Sequence, residues 1–213
     1  DSQLCTTLDL GAHRVATVEH LLAALAGCGL SHCEIVVQGS EIPLLDGSAL
    51  GWVEAIAEAG LRPAASERPS APQLEQPLVR HRGSSVITAT PSDRFSLVGI
   101  IDFPQAAIGR QQLALELTPQ RFVDEIAPAR TFGFRDQVEQ LRAAGLIQGG
   151  ALDNALVCDG DHWLNPPLRF ADEPVRHKLL DLIGDLALVG FPQAQVLVYR
   201  GSHGLHTDLA AAL

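Results

Sequence analysis

His177 and Asp181 stand four residues apart in a segment whose apolar residues recur at helical spacing. An imidazole and a carboxylate therefore project from one helix face and can converge on a single ion. Asp185 continues that face one turn further on. Nitrogen and oxygen donors in this arrangement suit Zn²⁺, which takes a tetrahedral shell and keeps a position open when the protein supplies three ligands. Taken alone the pair is weak, since surface helices often place His and Asp this way for solubility or a salt link. A third ligand has to come from elsewhere, and His20 is the candidate because it lies in an otherwise apolar helix directly after Glu19. Neighbouring helical residues point about 100° apart. If His20 holds an ion, Glu19 therefore flanks it and can take a proton from water there. The competing reading is a partly exposed Glu-His pair at a helix edge.

Other residues add to this set. Lys178 is the only lysine in a chain that uses arginine fourteen times, and it sits next to His177. A compact ammonium can neutralise a phosphate or carbonyl oxygen where a guanidinium is too broad, although codon bias also leaves such survivors. The segment Gly201-Ser202-His203-Gly204-Leu205-His206 sets His203 among small residues at a strand-to-helix turn, a usual location for a catalytic group, with His206 as the alternative. Ala129-Arg130-Thr131-Phe132-Gly133-Phe134 is a small and aromatic loop whose Thr131 hydroxyl can donate to a developing oxyanion, or which is simply a packed turn.

The elements that must position these residues follow from periodicity. A helix is expected over 17–26 with Thr17 near its cap, then a strand over 33–37, a loop at 41–48 and a helix over 49–59 ended by Gly60. Residues 61–82 carry four prolines without periodicity and read as a linker. Beyond it come strands near 84–90 and 95–102, helices over 119–126 and around 137–144, and short strands at 151–158 and 162–164. The strongest helix spans 175–188, with Leu179, Leu182, Ile183 and Leu186 as its apolar stripe. A strand at 195–199 and a helix from about 204 follow. The expectation is an α+β protein of two similar domains, each a small mixed sheet layered against a pair of helices, with the active site at their interface. The first domain is placed at 1–62, the linker at 63–82 and the second domain at 83–213.

Composition narrows the function classes. A hydrophobic content of 46% over 213 residues indicates a folded core, and a net charge of −10 argues against a nucleic-acid partner, which needs a basic face. No stretch reaches eighteen uninterrupted apolar residues, so no integral membrane segment is expected. Cys5, Cys28, Cys33 and Cys158 form no C-x-x-C pair, which speaks against a cysteine zinc site or disulfide framework and for a reducing cytoplasm. The chain opens on Asp1 and enters strand-like sequence at once, so a piece lacking its N-terminal strands is expected.

Read together, five ordered segments resemble the UDP-3-O-acyl-N-acetylglucosamine deacetylases of lipid A synthesis. They are Thr17-Val18-Glu19-His20-Leu21, Glu41-Ile42-Pro43 through Asp46-Gly47-Ser48-Ala49, and the loop from Ala129 to Phe134. The others are Val175-Arg176-His177-Lys178 with Asp181 and Gly184-Asp185, and the His203-Gly204-Leu205 turn. The resemblance implies that His20, His177 and Asp181 bind a catalytic zinc and that Glu19 is the general base. It also implies that His203, oriented by Asp185, protonates the leaving amine, that Thr131 donates to the oxyanion, and that Lys178 and Phe132 contact substrate. A passage for the fatty-acyl chain is implied over about 134–164, where Leu141, Leu146, Ile147, Ala151, Leu152, Ala155, Leu156 and Val157 supply apolar surface. The implied protein is a monomeric cytoplasmic enzyme of a Gram-negative bacterium acting on a small-molecule UDP-sugar.

This sequence departs from the family pattern in places. His206 stands where the family commonly has Asn, and Cys5 matches a family cysteine near the metal that can ligate a second, inhibitory ion. Several nucleotide contacts have no identifiable counterpart. The alternative function is a truncated or non-catalytic metal- or sugar-nucleotide-binding relative. Keeping a base and an acid as well as the ligands favours the enzyme.

Overall fold

Strand pairing and one amphipathic helix set the frame that carries the candidate residues. The structure is a computed structural model of the chain and describes residues 4–64, 71–137 and 154–213. In chain order it runs β1 (Leu8–Asp9), β2 (Arg14–Val15), α1 (Glu19–Gly27), α2 (Leu50–Ala59), β3 (Leu78–Arg82) and β4 (Ser85–Pro91). Next come β5 (Ser96–Asp102), β6 (Arg110–Glu116), α3 (Pro119–Arg121) and β7 (Phe132–Phe134). It ends with β8 (Leu156–Asp159), β9 (His162–Trp163), α4 (Glu173–Ala187), β10 (Ala194–Tyr199) and α5 (His203–Ala210). The molecule is α+β.

The main sheet has the order β3-β4-β10-β5-β6, antiparallel throughout except that β10 runs parallel to β5. A parallel neighbour cannot be reached by a tight turn. The chain returns to it through α4. Alternation puts Leu97 of β5 and Val196 and Val198 of β10 on the buried side. There they meet Leu179, Leu182, Ile183 and Leu186 of α4 and Leu205 and Leu209 of α5. Ala23 and Ala24 of α1 and Val53 of α2 belong to the same buried cluster, so the helices of the first half and the sheet of the second share one core. A smaller sheet, β7-β8-β9, packs through Phe132, Phe134 and Trp163 on a second cluster around Ile101 and Val175.

Several expectations change. Residues 33–37 form no strand: no neighbouring backbone pairs with them among the described residues, and Ile35 and Val36 stand 46% and 81% exposed. The sheet of the first half is therefore the antiparallel β1-β2 pair, with two residues in each strand, and the mixed sheet lies in the second half. The last residues of the expected linker form β3, an edge strand that begins directly after Pro77, and β6 was not expected at all. The 119–126 helix is a single turn capped by Thr118 that widens into a π turn over Phe122–Ile126, where the Ala127 N–H reaches back to the Phe122 carbonyl. Thr17 lies beside the cap of α1, directly before the N-cap Val18. It takes a left-handed φ of 59°, and its hydroxyl donates to Glu41 at 2.8 Å, tying the start of α1 to the 41–48 loop. Of the helix expected around 137–144 only residue 137, which is helical, is described; residues 138–144, and Leu146, Ile147, Ala151 and Leu152 of the expected acyl passage, lie outside the described residues. No described helix is long and apolar enough to cross a membrane.

Candidate metal centre and catalytic cleft

Helix α4 carries the site because its face repeats usefully. His177, Asp181 and Asp185 follow at intervals of four on one face, and Gly184 lies on that face beside them. A Cβ at Gly184 would collide with the carbonyl oxygen of Glu19. The glycine is thus what lets the first turn of α1, with Glu19 and His20, lie directly on α4.

This approach brings His20, His177 and Asp181 together, all three buried, with one ligand atom from each within 4.8 Å of the others. His20 Nε2 stands 3.7 Å and His177 Nε2 3.2 Å from the same Asp181 oxygen. The surface-pair and exposed-edge readings of these residues are excluded by their burial, at 4%, 2% and 3% exposure respectively. His177 Nδ1 lies 3.0 Å from the Ala129 carbonyl. A carbonyl only accepts, so His177 carries its proton on Nδ1 and turns the Nε2 lone pair toward a carboxylate oxygen. Two acceptors facing each other at that distance need a cation or a shared proton between them. The donor set, two imidazole nitrogens and one carboxylate oxygen with a backbone carbonyl behind one ring, fits a divalent metal of the zinc type.

Electrostatics support an anionic Asp181. Burial opposes its ionisation, but the Lys178 ammonium and the imidazoles of His177 and His20 outweigh this and hold its carboxyl well below the usual range. Lys178 Nζ donates to the second Asp181 oxygen at 2.9 Å and lies 5.7 Å above the Phe132 ring.

On the other side of the metal group lies a second cluster. Glu19 accepts from the Thr6 backbone N–H at 3.0 Å, and its other oxygen is 3.9 Å from His203 Nε2. Burial raises the Glu19 pKa, against the pull of His203 and His20. His203 is the first residue of α5, whose N-cap Ser202 accepts from the Leu205 N–H. Its Nδ1 lies 2.9 Å from Asp185. Burial works against a charged His203, yet that hydrogen bond and the charges of Asp181, Asp185 and Glu19 raise its pKa to about 9.

The family model for UDP-3-O-acyl N-acetylglycosamine deacetylase matches residues 1–213. The chain belongs to that family. Curated relatives named UDP-3-O-acyl-N-acetylglucosamine deacetylase include one from Thermosynechococcus vestitus. It is 53% identical over 213 residues, covering 100% of this chain and 74% of the relative. Another, from Synechocystis sp., is 50% identical over 99% of this chain and 77% of its own length. A probable mitochondrial UDP-3-O-acyl-N-acetylglucosamine deacetylase of Arabidopsis thaliana is 42% identical over 100% of this chain and 72% of the relative. The chain is therefore an enzyme, a deacetylase.

In this deacetylase Thr131 lies directly before β7, two residues after the Ala129 carbonyl that faces His177. Its backbone N–H donates to the Gly47 carbonyl at 2.7 Å and its carbonyl accepts from the Leu156 N–H at 2.8 Å. Arg130 is anchored by the fully buried Glu173, which also accepts the Arg130 backbone N–H, so the Ala129 carbonyl that orients His177 sits on a fixed loop. Asp46 bonds Ser48 and Arg169 and closes the 41–48 loop onto the same region. A cavity of about 530 Å³ opens beside Lys178, lined also by Asp102, Phe103, Pro104, Arg200 and Gly201. Arg200, at a left-handed φ of 53°, donates to Asp102 at 2.9 Å.

Sequence reasoning missed Thr6, the Ala129 carbonyl, Glu173 and Arg200. Thr6 follows the flagged Cys5, but nothing in its type or spacing marks it. Cys5 itself is half-buried against Thr7 at 3.8 Å and joins neither buried cluster.

Proposed function

We propose that this chain hydrolyses the N-acetyl group of UDP-3-O-acyl-N-acetylglucosamine, giving UDP-3-O-acyl-glucosamine and acetate for lipid A synthesis. His20, His177 and Asp181 would hold Zn²⁺. The observation that carries this reading is the buried His-His-Asp group flanked by a carboxylate base and an imidazolium, since a protein that only binds has no use for both.

When bound, zinc supplies Lewis acidity, which brings deprotonation of a water toward neutral pH and polarises the amide carbonyl. Glu19 accepts the proton of the attacking water, a role its raised pKa suits. Water oxygen bonds to the carbonyl carbon as negative charge grows on the carbonyl oxygen. The Thr131 hydroxyl can donate to that charge. His203, fixed by Asp185, then gives its Nε2 proton to the amide nitrogen while the C–N bond breaks and the bonding pair stays on nitrogen. Acetate and a free 2-amino group leave. Lys178 and Arg200 offer two cations beside the 530 Å³ cavity, which suits the phosphates of a sugar nucleotide on an otherwise acidic chain, with Phe103 as an apolar wall and Phe132 packed against it.

The test is release of free amine from that substrate by zinc-loaded protein, beside His177→Ala and Glu19→Gln, with metal content measured in each. His177→Ala is expected to lose metal and turnover together. Glu19→Gln should keep the metal and lose about 10²–10⁴-fold in kcat. A folded, zinc-loaded wild type without turnover would overturn the reading.

A further inference from the structure

The Asp185 carboxylate receives more hydrogen bonds than orienting one imidazole requires. His203 Nδ1 at 2.9 Å and His206 Nδ1 at 2.8 Å approach the same oxygen, Oδ2, while the Thr6 hydroxyl donates to Oδ1. Thr6, Asp185, His203 and His206 are all buried. His203 and His206 are three residues apart on α5, so both rings leave the helix on one side and reach the carboxylate with their planes 77° apart.

His206 gains little from this burial on its own account. Its other ring nitrogen, Nε2, has no hydrogen-bond partner among the described residues. Room for the ring exists because residue 201 is glycine, where a Cβ would run into His206 Nε2 and Val198. A buried nitrogen left unpaired is a cost that an apolar side chain would avoid. What the ring does achieve is at Nδ1.

We propose that His206 is a positioning residue: by donating from Nδ1 to Asp185 it locks the carboxylate that aims His203 at the reacting amide. The proposal rests on the reading of His203 as proton donor. Without His206 the carboxylate keeps one donor on each oxygen, Thr6 on Oδ1 and His203 on Oδ2, and Oδ2 can follow the His203 ring as it swings. A second donor on Oδ2, from a ring on the same helix set at 77° to the first, removes that freedom. The second donor also draws charge from Oδ2, which weakens its hold on the proton of His203. The groups facing His203 are Asp185 and, through its charge, Asp181 from α4, Glu19 from α1, Thr6, and His206 on its own helix. Removing His206 alters only one of them.

Steady-state kinetics against pH on zinc-loaded His206→Leu and His206→Asn test this, because an asparagine amide can donate where Nδ1 does and leucine cannot. His206→Leu is expected to lose about 10–100-fold in kcat with KM changed less than about threefold. Its alkaline limb should move to higher pH, while zinc content and Tm do not fall. His206→Asn should restore kcat to within about threefold of wild type. A His206→Leu enzyme with wild-type kcat and pH profile overturns the proposal. If that variant does not fold, ¹⁵N spectra of labelled histidine in the intact wild type decide: a proton on His206 Nδ1 supports the assignment, and a ring protonated at Nε2 alone overturns it. A wild type with no turnover would count against the hydrolase reading, and the tautomer would still decide the role of His206.

Discussion

At the scale of residues, the site holds two titrating groups whose environments push them the same way for opposite uses. Burial keeps the Glu19 pKa above the ordinary glutamate range, and Asp185 with its neighbouring charges keeps His203 protonated to about pH 9. Glu19 must be ionised to accept a proton, so kcat/KM should fall as pH drops through the Glu19 pKa. His203 must be protonated to give one, so kcat/KM should also fall as pH rises through the His203 pKa. A divalent cation nearby disfavours the imidazolium and moves that upper limb below about 9. In His203→Gln the upper limb should vanish along with about 10²–10³-fold of the rate, as a pH–rate profile would read. Glu19 and His20 were legible in the sequence because two polar side chains interrupt an apolar helix. Thr6 was not, since a lone threonine has no signature until Asp185 is seen against it. The Ala129 carbonyl is a backbone atom and carries no sequence signal at all.

At the scale of elements, everything depends on α1 lying against α4 without a side chain between them at Gly184. Gly184→Ala forces its Cβ into the backbone of Glu19, which no rotamer change relieves. The variant is expected to be about 1–3 kcal/mol less stable in urea unfolding and to bind zinc more weakly, because Glu19 and His20 move together away from His177. Equal stability and equal zinc affinity would show that the two helices part without cost. Periodicity located α4 almost to its ends, since its apolar stripe and its polar face are both written in one segment. Strands were less legible. The apolar residues at 33–37 look like a strand, yet a strand exists only when another backbone pairs with it, and that partner is not visible locally. The reverse holds for β3, whose arginine-rich sequence after a proline-rich stretch becomes ordered by pairing with β4.

For the molecule as a whole, the two expected domains share a buried cluster that runs from α1 and α2 through α4 to the main sheet. Trp52 on α2 and Trp163 on β9 report on the two halves separately, and the chain has no other tryptophan. Single-tryptophan proteins made by Trp163→Phe and Trp52→Phe should unfold in urea at coincident midpoints once corrected for the stability of each variant. Separate midpoints would mean that the halves fold independently. The two-domain expectation came from local features, a proline-rich interval and the strand and helix content of each half; the shared core joins residues more than a hundred positions apart, which no local window displays. That same acidic molecule concentrates its only primary amine side chain, Lys178, at the mouth of the cavity, one residue from His177. Chemistry that seeks side-chain amines therefore finds a single address here, and a bound sugar nucleotide would shield it. The protein carries its own label site for occupancy of the cleft.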